Sequence, residues 1–193
     1  MTGFGPDIVL DRPAYIDPTV RLHGKVRVGE GSSLWTHVVV RAEVHEVRIG
    51  KFTNIQDFVM IHIGYESPTI IGDYCSITHH ATIHGCTIGD NCLVGINATI
   101  MDECVIGDNC IVAGHTFLKE GTVVPENSIV MGLPGRVVKT RNAFVENRKN
   151  AVLYHRNARA YARGEHRAWT DDSGLEDEMA AINRDYARLF GGS

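Results

Sequence analysis

From Ile88 onward an aliphatic residue recurs at every sixth position: Ile88, Val94, Ile100, Ile106, Val112, Leu118, Val124 and Val130. Four residues after each of these, through Val124, comes a small one: Cys92, Ala98, Cys104, Cys110, Thr116, Thr122 and Ser128. Gly often follows the aliphatic residue directly, as in Ile88-Gly89, Val94-Gly95 and Ile106-Gly107. A six-residue period matches neither a helix nor the simple alternation of an ordinary sheet. It suits short extended segments joined by tight corners and stacked as a solenoid. The aliphatic residue then points inward onto its equivalents in neighbouring coils. The small residue lies near a corner, and Gly permits close backbone approach or positive φ.

The pattern continues toward the N-terminus with slips. Ile71, Ile77 and Ile83 are in step, and one residue is missing before Ile88. Ile49, Ile55 and Ile61 form an earlier set, with four extra residues before Ile71. Ile16, Leu22, Val28, Leu34 and Val40 form the first set, with three extra residues before Ile49. The repeat covers about residues 16 to 135. It resembles the hexapeptide-repeat, left-handed parallel β-helix family, and the resemblance implies a triangular prism with three hexads, roughly eighteen residues, per coil.

The period ends near Pro134. Residues from about Thr140 to Arg163 contain no Gly or Pro, and Ala143, Val145, Val152, Leu153 and Tyr161 predict a helix with one apolar stripe, capped by Gly164. A polar stretch, Thr170 to Gly174, precedes a second helical pattern from Leu175 to Phe190. The expected organisation is mainly β: a left-handed β-helix domain over residues 1–139 and a C-terminal helical extension over residues 140–193. The helices would cover the prism or a neighbouring subunit.

Composition excludes several functions. The net charge is −4, with 19 Lys+Arg against 23 Asp+Glu, so nothing points to nucleic acid. No stretch of eighteen apolar residues predicts a membrane span. The N-terminal segment shows no basic-then-apolar run, so a cytoplasmic protein with reduced thiols is expected. Cys75, Cys92, Cys104 and Cys110 hold the small-residue position and Cys86 lies beside it, which marks them as packing residues. Trp35 and Phe58 are expected to line the site or a subunit interface, with interface packing the simpler reading. Asp57 is a candidate partner for Arg41 of a neighbour or a plain surface carboxylate.

Five of the ten His fall between His62 and His115, and the slips serve as a ruler for them. His62 and His84 are one coil plus the four-residue insertion apart. Arg41 precedes His62 by one coil plus the three-residue insertion. All three follow an inward aliphatic residue, so they should form a column on one face. Gln56 lies one hexad before His62, on the adjacent face, and His79 shares that face. Being around a corner, His79 is expected to reach the column only from a neighbouring chain. A lone His in a solenoid is ordinarily a solvated surface side chain; the coil spacing is what singles these out. Two His from one face plus one from a partner make an open zinc site with a fourth position for water, whose pKa the metal lowers to about 7. Iron and cobalt suit the same imidazoles. His115 falls away from the column, and His80 is read as a residue supporting the ligands or, preferably, as a surface side chain.

Arg41, the segment Asn54-Ile55-Gln56-Asp57, His62, and His79 with His84 before Gly85-Cys86 resemble the signature of γ-class carbonic anhydrases and their close relatives. The resemblance implies a homotrimer with three metal sites between subunits. It implies that His62 and His84 come from one chain and His79 from the next. Gln56 would orient bound water or bicarbonate, and Arg41 would serve subunit contact and site organisation. Glu43 stands where the family carries an Asp beside the Arg, and Thr78 where a Gly is common. The short loop Gly64–Pro68 replaces the family's acidic loop, leaving Glu66 as the candidate proton shuttle or as a solvated carboxylate.

The leading expectation is a Zn²⁺-dependent lyase (Fe²⁺ or Co²⁺ being possible metals) that hydrates carbon dioxide to bicarbonate. Competing readings are a hexapeptide acyltransferase using acyl-coenzyme A, a catalytically weak metal-binding trimeric accessory protein, and the same metal chemistry on another small electrophile. No GxGxxG, P-loop or G-x-S-x-G motif is present.

Overall fold

The computed structural model describes residues 4–170 and 172–191, so Asp171 of the polar stretch lies outside the described residues. It is a parallel β-solenoid. The hexad aliphatics are its core: Leu34, Ile55, Ile77, Val94, Val112 and Val130 stack on one face. Val40, Ile61, Ile83, Ile100 and Leu118 stack on the second, and Ile49, Ile71, Ile88, Ile106 and Val124 on the third. Each fully buried aliphatic contributes about 1.5–3 kcal/mol. Backbone N–H and C=O groups pair from coil to coil, so every coil satisfies its neighbours.

The ruler read from the slips matches the register. Ile16 pairs with Leu34 and Ile88 with Ile106, one regular coil apart. Arg41 pairs with His62 across the three-residue insertion, and His62 with His84 across the four-residue one. All three slips fall on one edge of the prism. The extra residues lie between Ala42 and Val47, then between His62 and Thr69, and the shortened turn lies between His84 and Thr87. That edge directly follows the Arg41–His62–His84 column.

A second edge is a ladder of left-handed residues. His37, Phe58, His80, Asn97 and His115 stand at φ 57 to 61° in successive coils. Each donates its backbone N–H to the coil before, as Phe58 does to Thr36 and His80 to Asp57, which holds the non-glycine residues in this conformation. The Phe58 and His80 rings stack with centroids 4.9 Å apart.

The solenoid closes with an antiparallel hairpin, Ser128–Gly132 with Gly135–Thr140, turned through Leu133-Pro134. Sequence periodicity did not anticipate it, although Gly132-Leu-Pro-Gly135 between two apolar runs is a turn signal. The hairpin delays the first helix, α1, to Phe144–Tyr161. Gly164 at φ +79° receives the chain beyond it, and Glu165 N–H reaches back to the Ala160 carbonyl. The second helix, α2, is Leu175–Phe190 and packs on α1 through Phe144 with Tyr186 and Phe190.

α1 lies along the face carrying Ser33, Asn54 and Ser76. These outward residues are small, polar and fully buried because the helix covers them. Ser76 Oγ donates to Asn150 Oδ1 on α1 (2.8 Å), and Asn147 Nδ2 donates to the carbonyls of Asn91 (2.9 Å) and Cys110 (3.1 Å). Trp35 is buried against Tyr154 and Tyr161 of α1. It packs on its own chain's helix, which corrects the expectation of an interface role. All five cysteines are free and buried. No helix among the described residues is long and apolar enough to cross a membrane.

Candidate active site

The column places Arg41, His62 and His84 side by side on adjacent strands. His62 Nδ1 lies 3.0 Å from His84 Nε2, with the rings 4.9 Å apart at 70°. The far nitrogen of each ring meets a carboxylate. His62 Nε2 is 3.0 Å from Glu43 Oε2, and His84 Nδ1 is 2.6 Å from Asp102 Oδ1. Arg41 completes the row with its guanidinium 3.1 Å from Glu43 Oε1.

Glu43 reaches His62 because it stands in the three-residue bulge, off the regular ladder. Desolvation opposes its ionisation. Hydrogen bonds from its own backbone amide and from His62, with the charges of His62 and Arg41, outweigh that and hold its pKa below the usual carboxylate value. The extra methylene of Glu relative to Asp thus spans Arg41 and His62 together.

Asp102 escaped the sequence reading. The one-residue deletion shortens this coil, so the ruler from His84 arrives at Met101, and Asp102 stands one place further on, in the turn.

His79 stands elsewhere. It occupies the turn before the strand Thr82–His84, while His84 ends that strand. Its Nδ1 is 3.0 Å from Asp57 Oδ2 of the preceding coil. Asp57 therefore has a partner within its own chain. The two residues open onto a recess of about 250 Å³ walled by Trp35, Tyr154, Tyr161 and Trp169. Burial, with the Asp57 charge adding to it, pushes the Tyr154 hydroxyl up to about 12.

Gln56 is fully buried and donates to Asn54 Oδ1 (2.9 Å), which leads through Ser76 to α1. Glu66 is exposed on the Gly64–Pro68 loop. The chain thus brings Arg41, Glu43, His62 and His84 together and keeps His79 and Gln56 apart from them. Among the described residues no three His, Cys, Asp or Glu side chains of this one chain form a metal-holding group. A recess of about 600 Å³ beside the start of α2 is lined by none of the histidines.

The bacterial transferase hexapeptide family (six repeats) matches residues 85–120. The chain is 53% identical over 133 residues to "Probable carbonic anhydrase" of Methanocaldococcus jannaschii, covering 68% of this chain and 84% of that protein. It is 37% identical over 108 residues to "Gamma carbonic anhydrase 2, mitochondrial" of Arabidopsis thaliana, covering 53% of this chain and 39% of the plant protein. The match thus spans most of the archaeal relative and well under half of the plant one. Among solved structures, a hexapeptide transferase family protein from Anaplasma phagocytophilum superposes with a TM-score of 0.76 at 29% identity, covering 80% of this chain and 92% of that one. With the repeat, the register and these relatives in agreement, the chain belongs to the γ-class carbonic anhydrase-like family of hexapeptide-repeat proteins.

Proposed function

We propose that this protein is a metal-dependent lyase that interconverts carbon dioxide and bicarbonate at sites shared between copies of the chain in a homotrimer. The observation that carries the reading is the convergence of His62 Nδ1 and His84 Nε2 at 3.0 Å while His79 stands one strand away at a different edge. Two imidazole nitrogens facing one point suit a divalent cation such as zinc, and the open requirement is a third ligand. His79 of a neighbouring copy supplies it. A cation held there would provide the Lewis acidity that activates water for hydration.

The chain's own residues do the rest. Glu43, anchored by Arg41, holds the His62 ring in place. The orientation of the attacking oxygen or bicarbonate is assigned to Gln56, whose side-chain amide is held by Asn54. Glu66, on the exposed loop beside His62, passes the proton to bulk water. Five free, buried thiols favour a reducing compartment such as the cytoplasm.

The test is metal content per chain, by elemental mass spectrometry after purification without chelators or a His tag, followed by stopped-flow carbon dioxide hydration. One equivalent of zinc or iron with hydration activity supports the proposal. One equivalent without activity supports an accessory trimer. A second reading, acyl transfer from coenzyme A, draws on the Anaplasma transferase-family structure. Coenzyme A binding to protein that holds no metal would favour it.

A further inference from the structure

We infer that Asp102 is a positioning residue of the two-histidine site: it fixes His84 as the Nδ1–H tautomer, so that Nε2 keeps its lone pair toward His62 for a divalent cation. The inference rests on the metal reading above. An ionised carboxylate only accepts hydrogen bonds, so the 2.6 Å contact from Asp102 Oδ1 to His84 Nδ1 places the ring proton on Nδ1. The neutral ring then carries its lone pair on Nε2. Glu43 imposes the mirror arrangement on His62, with the proton on Nε2 and the lone pair on Nδ1. The two nitrogens that face no carboxylate lie 3.0 Å apart, where a divalent cation would be held.

The fold builds a seat for this carboxylate. Gly64 and Gly85 flank it, and a Cβ on either would collide with Asp102 Oδ1. Gly85 stands at φ +52° in the shortened turn, and its carbonyl accepts from Ser67 Oγ (2.9 Å) and from Glu103 N–H (2.8 Å). The four-residue insertion and the one-residue deletion therefore converge on the space that Asp102 occupies. No Lys or Arg pairs with Asp102 among the described residues; its ion-pair partner is His84. A carboxylate that serves surface solubility needs no such seat, whereas one that orients a ligand imidazole does.

The experiment uses full-length protein labelled with ¹⁵N-histidine, with and without zinc. In metal-free wild type, long-range ¹H–¹⁵N correlation spectra should give His84 the Nδ1–H pattern. In Asp102→Ala that pattern should give way to Nε2–H, and zinc affinity, read by chelator competition, should fall about 10–100-fold. Asp102→Asn, whose Oδ1 still accepts, should keep the Nδ1–H pattern and most of the affinity, with wild-type melting and oligomeric mass. If Asp102→Ala folds and leaves both the tautomer and the zinc affinity unchanged, the inference is overturned. If Asp102→Ala alone misfolds, loss of the Nδ1–H pattern in folded Asp102→Asn overturns it. Zinc binding absent from wild type, with the tautomer shift still seen in Asp102→Ala, would sink the metal reading while leaving the tautomer assignment standing.

Discussion

His79 Nδ1 lies 3.0 Å from Asp57 Oδ2, and the two residues occupy equivalent places in successive coils. This pair stands at one end of the strand Thr82–His84, and the His62–His84 pair stands at the other. An extended strand carries side chains apart at about 3.3 Å per residue, so one chain cannot fold His79 onto its own column. The shared site proposed above therefore draws its His79 from a second copy.

That relationship predicts complementation. His62→Ala and His79→Ala should each abolish metal retention in homotrimers. Trimers mixed from the two variants should regain one metal site each, formed by His62 and His84 of the His79→Ala chain and His79 of the His62→Ala chain. Native mass spectrometry after co-refolding reads this directly. A monomer by light scattering that still retains metal through all three histidines would refute the shared site.

The docking of α1 predicts a stability loss at two positions. Trp35→Ala removes a buried ring packed edge-on against Tyr154 and Tyr161 and should cost about 3–5 kcal/mol. Asn147→Ala leaves the Asn91 and Cys110 carbonyls without their side-chain donor and should cost about 1–3 kcal/mol. Urea unfolding followed by circular dichroism measures both.

Acid sensitivity should trace in part to Asp17. Desolvation would raise its pKa, but hydrogen bonds from Thr19, Tyr15 and Thr36 outweigh it and lower the folded value below 3.8. A group depressed in the fold contributes stability that is present above its unfolded pKa and lost as pH falls through the folded one. Asp17→Asn should therefore flatten the fall in unfolding free energy below about pH 4. At the alkaline end, burial and the Asp17 bond raise Tyr15 from 10.0 to about 12, so its contribution persists below pH 10 and is lost as pH rises through about 12. Urea titrations across both windows, with Tyr15→Phe alongside, test the signs.

Thiol chemistry should be silent in the native state. Burial above all, with Cys104 and Asp102 adding to it, pushes the Cys86 thiol well up, and burial likewise raises Cys104. Ellman's reagent at neutral pH should label none of the five cysteines promptly in native protein and all five after unfolding. Rapid native labelling would contradict the packing role.

How much was legible in the chain depends on whether a feature is local to the repeat. The hexad period determined the core and the solenoid, because each coil stacks only on its neighbours and the inward residue recurs at a fixed step. The slips determined that Arg41, His62 and His84 align, because residues inserted at an edge leave the register of the faces intact. The second helical pattern, Leu175 to Phe190, reappears as α2. Tertiary structure alone decided what surrounds the column. Glu43 turns to His62 and Asp102 to His84 because all three slips share one edge, and the shape of an edge depends on three coils at once. Likewise Trp35 packs on α1, and Gln56 turns to Asn54, because a helix far downstream in sequence covers that face. Periodicity reports which way a side chain points. It carries no information on what distant segment comes to lie against it.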